Sequence, residues 1–238
     1  MKILNLLRVV VVFLIVACTA TNFGIDNLEG IKEVEQPFSV EEPLAQQTQK
    51  EIAILNNLEK ESLIEPTIKE LRINDRNNVL CLALNMYHEA RGSTVEDQIA
   101  TSYVVFNRYY SNSYPLNNRS KNKNLCDIVF DKYQFCWTNE DVIKTPKEKT
   151  VWKNIQSLAL KLYTNPEHRR LAKLFELKHY VLSSMLNDPK KPRWINNRKL
   201  TVKIGAHSYM AIKEQIDDNI DNQSYTANII KKGLSLIN

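Results

Sequence analysis

None of the four cysteines pairs with another as Cys-x-x-Cys, so the usual ligand spacing of a structural zinc knuckle is missing. No serine stands in a Gly-x-Ser-x-Gly elbow, and no glycine-rich loop follows a strand. Serine-hydrolase chemistry and dinucleotide binding therefore lack their scaffolds. His88-Glu89 opens like a zinc-protease helix, but the second histidine would have to stand at position 92, which is Gly92. The remaining histidines, His168, His179 and His207, follow no metal-ligand spacing; His179 and His207 are the pair most able to meet. No metal and no cofactor is expected. What is present is a globular composition, 43% apolar and 25% charged, in a chain of 238 residues.

The N-terminus reads as an export signal. Lys2 and Arg8 precede an unbroken apolar run from Val9 to Ala17, too short to span a bilayer comfortably and shaped like a signal-peptide core. Ala17-Cys18 at its end resembles a lipoprotein processing site, which would leave Cys18 as a lipidated N-terminus (residues 1–18 as leader). A cleaved soluble secretion signal and a retained signal-anchor are the alternatives. Export also permits disulfides. Cys126 and Cys136, ten apart, are a possible pair, and Cys81 in an apolar helical pattern reads as a buried small hydrophobe.

Charge divides the rest of the chain. Residues 19–70 hold 11 acidic and 4 basic residues with three prolines, and read as an acidic tether carrying a helix at about 51–64. Residues 71–238 hold 16 acidic and 26 basic residues and read as one basic domain. That surplus suits a polyanion. The exported reading favours cell-wall polymers over nucleic acid, so no nucleic-acid partner is expected.

Within the basic domain the apolar spacing of Val79, Leu82, Ala83, Met86 and Ala90 predicts a helix over 78–91, closed by Gly92. Ser93 with Glu96 reads as the capping box of the next helix, whose apolar face runs to Tyr110. Asn112 to Asn124 is a polar surface loop. Pro146 marks another helix start, with that helix running to about Tyr163, and a further helix covers about 166–176. Residues 201–204 and 206–210 read as short strands or turns, and the last 20 residues carry little pattern. The fold class expected is α+β and mainly helical.

Glu89 closes the first of these helices beside its apolar face. A partly desolvated carboxyl there holds its proton to higher pH, as a glycosidase general acid requires. The bland reading is a helix-surface glutamate. The aromatic and amide residues near Phe130 to Trp137 and Trp194 suit sugar faces and acetamido groups, although core packing explains many such rings.

The stretch ALNMYHEARGSTVEDQIATSYVVFNRY resembles the cell-wall hydrolase family of the spore cortex-lytic enzymes. That family's Tyr-x-Glu-Ala-Arg-Gly, Gln-x-Ala and Asn-Arg elements correspond to Tyr87, Glu89, Ala90, Arg91, Gly92, Gln98, Ala100, Asn107 and Arg108. CDIV at 126–129 and QFCW at 134–137 follow, then His179-Tyr180, Pro192-Arg193-Trp194 and Gly205-Ala206-His207-Ser208-Tyr209. The resemblance covers residues 76–212 and implies a lysozyme-like, lytic-transglycosylase-like single domain. It would act on the β-1,4 bond between N-acetylmuramic acid and N-acetylglucosamine, with Glu89 as the catalytic residue.

By the same resemblance Arg91 orders the helix corner or bonds a substrate oxygen. Gln134, Phe135, Trp137, His179 and Tyr180 would line the sugar groove, with His207 and Tyr209 groove or structural residues. Asn107 and Arg108 would tie the second helix to the corner. The family often has glutamate where Ser93 stands and glycine where Asp97 stands, and Cys136 replaces its usual serine. A missing second carboxylate favours lytic transglycosylation, which needs one acid. Asp97, Asp127 and Asp131 leave hydrolysis by a muramidase open. A non-catalytic peptidoglycan-binding lipoprotein is the third reading. The expected partners are peptidoglycan glycan strands and a membrane, and the expected place is the periplasm or cell wall, in a bacterium remodelling its wall or in a phage lysing a host.

Overall fold

The computed structural model describes residues 43–111, 124–131, 134–141, 143–191, 193–212 and 222–237. The leader, Cys18 and most of the 112–124 loop lie outside the described residues. Among those described, no helix is long and apolar enough to cross a membrane.

The centre of the fold is a helix, α3 (Ile73–Ala90). Every residue from Val79 to Tyr87 is buried, so this helix is covered on all sides rather than along one stripe. Around it pack α4 (Val95–Tyr110), α5 (Leu125–Val129) and α6 (Lys149–Thr164). A second layer is formed by α7 (Pro166–Phe175) and α8 (Asn222–Ser235), both packed on α4. The C-terminal stretch is thus helical although its sequence pattern is weak; Ile229 and Ile230 are buried there. The helix α7 begins with Pro166 after the cap Asn165, whose side chain accepts from the Glu167 N–H, and ends at Glu176 in the left-handed region, φ +56°.

Residues 51–69, placed with the acidic tether by composition, contribute to the same core. They span the end of α1 (Pro43–Lys60), a turn and α2 (Pro66–Lys69), and bury Ile54 and Leu58 on α1, Ile64 in the turn and Ile68 on α2. The Leu63 carbonyl accepts from the Trp152 indole at 2.7 Å and from Gln156 Nε2 at 3.0 Å, and Gln156 Oε1 accepts from the Glu65 N–H. Three hydrogen bonds fasten this segment to α6.

The sheet is small and antiparallel, in the order β1-β3-β2, from β1 (His179–Leu182), β2 (Arg198–Ile204) and β3 (His207–Ile212). The strands at 198–204 and 207–212 are longer than the sequence spacing predicts. Tyr180 stands opposite Tyr209, and Leu182 and Ile204 flank His207. Gly205 turns the β2–β3 hairpin at φ +54°. A Cβ there would fall 2.3 Å from Ser93 Oγ and 2.8 Å from Asp97, so both conformation and space demand glycine.

Three local expectations are corrected. Cys81 bonds Cys126 across α3 and α5, at a Cα–Cα distance of 5.2 Å, while Cys136 is exposed and outside that bond. Sequence separation misled here: 45 residues separate the bonded pair. The cap of α4 is Thr94, whose hydroxyl accepts from the Asp97 N–H, because the Ser93 hydroxyl is engaged elsewhere. The predicted glycine C-cap at Gly92 is not left-handed, and Arg91 before it is right-handed helical at φ −60°.

Candidate active site

The turn from α3 into α4 brings the end of one helix against the start of the next, and the β2–β3 hairpin closes over both. Asp97 is the clasp. It is fully buried, and both its oxygens accept hydrogen bonds. Oδ2 accepts from Ser93 Oγ at 2.5 Å, the Ala206 N–H at 3.0 Å and His207 Nδ1 at 2.9 Å. Oδ1 accepts from the Tyr209 hydroxyl at 2.6 Å. Burial by itself would raise this carboxyl, but the His207 hydrogen bond and charge, with Ser93 and Tyr209, outweigh it and hold Asp97 below the usual range. The same bonds and its own burial push the Tyr209 hydroxyl far up.

Glu89 sits half-buried beside this clasp. Burial raises its carboxyl above the ordinary range. The His207 charge, the Tyr180 hydroxyl and the Arg108 charge pull the other way without overcoming it, and the Asp97 charge adds to the rise. A carboxyl held protonated above its usual range can donate a proton. As the conjugate base, facing the Tyr180 hydroxyl, the His207 ring and the Arg108 guanidinium, it can take one back.

Residues 85–89 place Asn85 one turn before Glu89 on α3, which aligns the two on one helix face. Asn85 is fully buried, and its Oδ1 accepts from the Trp137 indole N–H at 3.3 Å. Trp137 also stacks on His88 at 4.5 Å with planes 14° apart. Burial, then the Arg91 charge, lowers His88 to about 4, although a bond with the Lys144 backbone resists, so at neutral pH it is an uncharged stacking partner. The Asn85 signal was available in the sequence as an amide in an apolar helix, four residues before the acid.

The other expected site residues fall into distinct places. Arg91 is exposed; it donates to the Tyr87 carbonyl at 3.2 Å, covers the Tyr87 ring at 4.9 Å and pairs with Glu148 at 3.5 Å, joining the corner to the start of α6. Asn107 donates to the Leu177 carbonyl and Arg108 to the Lys178 carbonyl, at 3.1 and 2.9 Å. Those bonds run to the segment entering β1 rather than to the Arg91–Ser93 corner, and so fix where His179 and Tyr180 stand. Phe135 is buried under the Arg108 guanidinium, 4.9 Å away, and Trp137 is buried in the wall behind Glu89. Gln134 is half-buried beside Phe135. His179 lies 5.8 Å from the Trp194 ring, and burial together with Arg108, Arg198 and Lys178 lowers it to about 3. Tyr180 packs on His207 at 5.0 Å and Tyr209 at 5.5 Å. Of the three further aspartates considered as a second acid, Asp127 bonds the Asn124 N–H as part of the cap of α5, and Asp131 is buried.

A carboxyl raised above its ordinary range at a helix corner, ringed by a tyrosine, a histidine and an arginine, marks a carboxyl-centred candidate site on a mainly helical α+β domain. The family model for cell wall hydrolases matches residues 92–210, half of the chain, and this protein belongs to that family. Its match begins three residues after Glu89 and takes in the Asp97 clasp, Tyr180, His207 and Tyr209. No curated protein and no solved structure matches the chain. Family membership supports a hydrolase acting on peptidoglycan.

Proposed function

We propose that the protein cuts the β-1,4 bond between N-acetylmuramic acid and N-acetylglucosamine as a lytic transglycosylase, on a lysozyme-like domain, with Glu89 as its one acid and base. The observation that carries this is the contrast between the two neighbouring carboxyls. Glu89 is raised and half-buried, whereas Asp97 is lowered, fully buried and hydrogen-bonded through both oxygens. A hydrolase of the inverting kind needs a second carboxylate open to water, and Asp97 is fully buried beneath four donors.

In the proposed reaction the Glu89 carboxyl protonates the glycosidic oxygen as the bond to muramic acid C1 breaks. The resulting carboxylate faces the Tyr180 hydroxyl and the His207 and Arg108 charges. It then removes the proton of the muramic acid C6 hydroxyl as O6 bonds C1. The product is a 1,6-anhydro end, Glu89 is protonated again, and no water is consumed. Export through the N-terminal leader, with a lipid anchor at Cys18, would place the domain in the periplasm or cell wall.

The test is digestion of purified peptidoglycan by the full-length protein beside a Glu89→Gln copy, with products weighed by mass spectrometry. Anhydromuramyl ends from wild type alone are expected. Reducing ends instead would mean hydrolysis and overturn the transglycosylase chemistry. Wall binding without cleavage would overturn the enzyme reading in favour of a structural lipoprotein.

A further inference from the structure

Two buried polar atoms beside Glu89 lack partners at hydrogen-bond geometry, Asn85 Nδ2 and Tyr180 Oη. Such atoms are rare in native interiors and call for an explanation. Asn85 is not loose. Its carbonyl oxygen is fixed by the Trp137 indole N–H, and Trp137 is itself clamped by stacking on His88 and by an edge contact with Phe130 at 5.5 Å. An amide whose oxygen is so fixed has its orientation settled. Its two N–H bonds then have fixed directions, and neither meets a partner. Tyr180 is held just as firmly by the rings of His207, Tyr209 and Phe135.

We propose that Asn85 is a positioning residue for Glu89: oriented by Trp137, its amide N–H faces the Tyr180 oxygen and turns the Tyr180 hydroxyl proton toward the Glu89 carboxylate. The electrostatics agree in sign. Burial dominates the raised Tyr180 hydroxyl, but Asn85 acts on it as a donor, and Tyr180 in turn acts on Glu89 as a donor. The chain of donors therefore runs one way, from Trp137 through Asn85 and Tyr180 to Glu89. At rest neither Asn85 Nδ2 nor Tyr180 Oη has a hydrogen-bond partner. Catalytic hydrogen bonds of this kind are often long at rest and tighten as charge develops. The charge here is the carboxylate that Glu89 becomes after giving up its proton.

This inference rests on the proposed role of Glu89, but its test does not require turnover. The readout is the ionisation of the Glu89 carboxyl, followed by carbon NMR on full-length protein labelled at glutamate, with the resonance assigned by its loss in Glu89→Gln. The groups facing Glu89 are Tyr180 on β1, His207 and Tyr209 on β3, and Arg108 and Asp97 on α4. All but Tyr180 are retained in every variant, so their contributions cancel. Tyr180→Phe removes the last donor and is expected to raise the Glu89 midpoint by roughly one pH unit, the scale of a hydrogen bond to a charged acceptor. Asn85→Leu should raise it by a similar amount, and the double variant no further. Trp137→Phe, which keeps the ring and removes the N–H, should move it the same way by less.

An Asn85→Leu midpoint equal to wild type, or a double variant whose shift is the sum of the two, would overturn the relay. If Asn85→Leu does not fold, Trp137→Phe decides alone, and an unmoved midpoint there sinks the proposal. Peptidoglycan digestion run alongside separates the two ideas. A wild type that cuts nothing removes the catalytic reading and leaves the relay to the titration. A wild type that cuts, with an unmoved titration, removes only the relay.

Discussion

Replacing Glu51 by glutamine should stabilise the protein at alkaline pH and leave it unchanged in acid. Glu51 lies on α1, half-buried, and one of its carboxyl oxygens and the two sulfurs of the Cys81–Cys126 bond lie within 4.8 Å of one another. Burial lifts its carboxyl from 4.5 to about 7, and the charge of Asp127 adds to the rise. Below the lower value both folded and unfolded chains hold the proton, and Glu51 contributes nothing to the pH dependence. Between the two values the unfolded chain has released its proton and the folded chain has not. The folded state then binds more protons, so stability falls as pH rises through this window and levels off above about 7. Each pH unit is worth about 1.4 kcal/mol, so the whole window is worth about 3 kcal/mol, and partial contact with water brings the expected cost to about 1–2 kcal/mol.

Glutamine is neutral throughout and avoids that cost. With a urea slope of about 2 kcal/mol per molar, Glu51→Gln should raise the unfolding midpoint at pH 8 by about 0.5–1 M and leave it equal to wild type at pH 4. The disulfide must stay closed in both proteins, so that they share an unfolded state. A midpoint difference that does not change with pH, or a variant weaker than wild type at pH 8, would refute the burial argument.

Three further substitutions probe the frame around the site. Asp97→Asn removes a buried charge from four donors and should cost about 3–5 kcal/mol by urea unfolding, since breaking a buried, bonded ion pair leaves its partners uncompensated; a loss under about 1 kcal/mol would show that the clasp is not what holds the hairpin. Gly205→Ala should cost about 2 kcal/mol or more, through the positive φ and the contact with Ser93 and Asp97, with thermal unfolding as the measure and a neutral result as the refutation. Opening the 45-residue separation between Cys81 and Cys126 with Cys126→Ser should cost about 4 kcal/mol by the loop-closure argument, and mass mapping under non-reducing conditions should find the Cys81–Cys126 pair rather than one involving Cys136.

The helices around the corner were legible because local rules fix them. Apolar spacing marked α3 and α4, Pro166 and its neighbours marked α7, and the arrest of helical pattern after Ala90 put an acid at a helix end. The motif order through Tyr209 was legible for the same reason, as it needs only chain sequence. The C-terminal helix α8 was missed, because its apolar residues are few and gain their burial from α4, α7 and β2, all distant in sequence.

Long-range choices were not legible. Which cysteine bonds Cys126 depends on α5 lying against α3, and the Ser93 hydroxyl is drawn away from capping by a hairpin more than a hundred residues later. Asp97 looked like a spare acid until the Gly205 turn, His207 and Tyr209 took up both its oxygens. Sequence alone determined that an acid stands at the end of α3 in a cell-wall hydrolase pattern. Only tertiary packing decided which of two neighbouring carboxyls keeps its proton, because desolvation and hydrogen-bond partners are supplied by residues far apart in the chain.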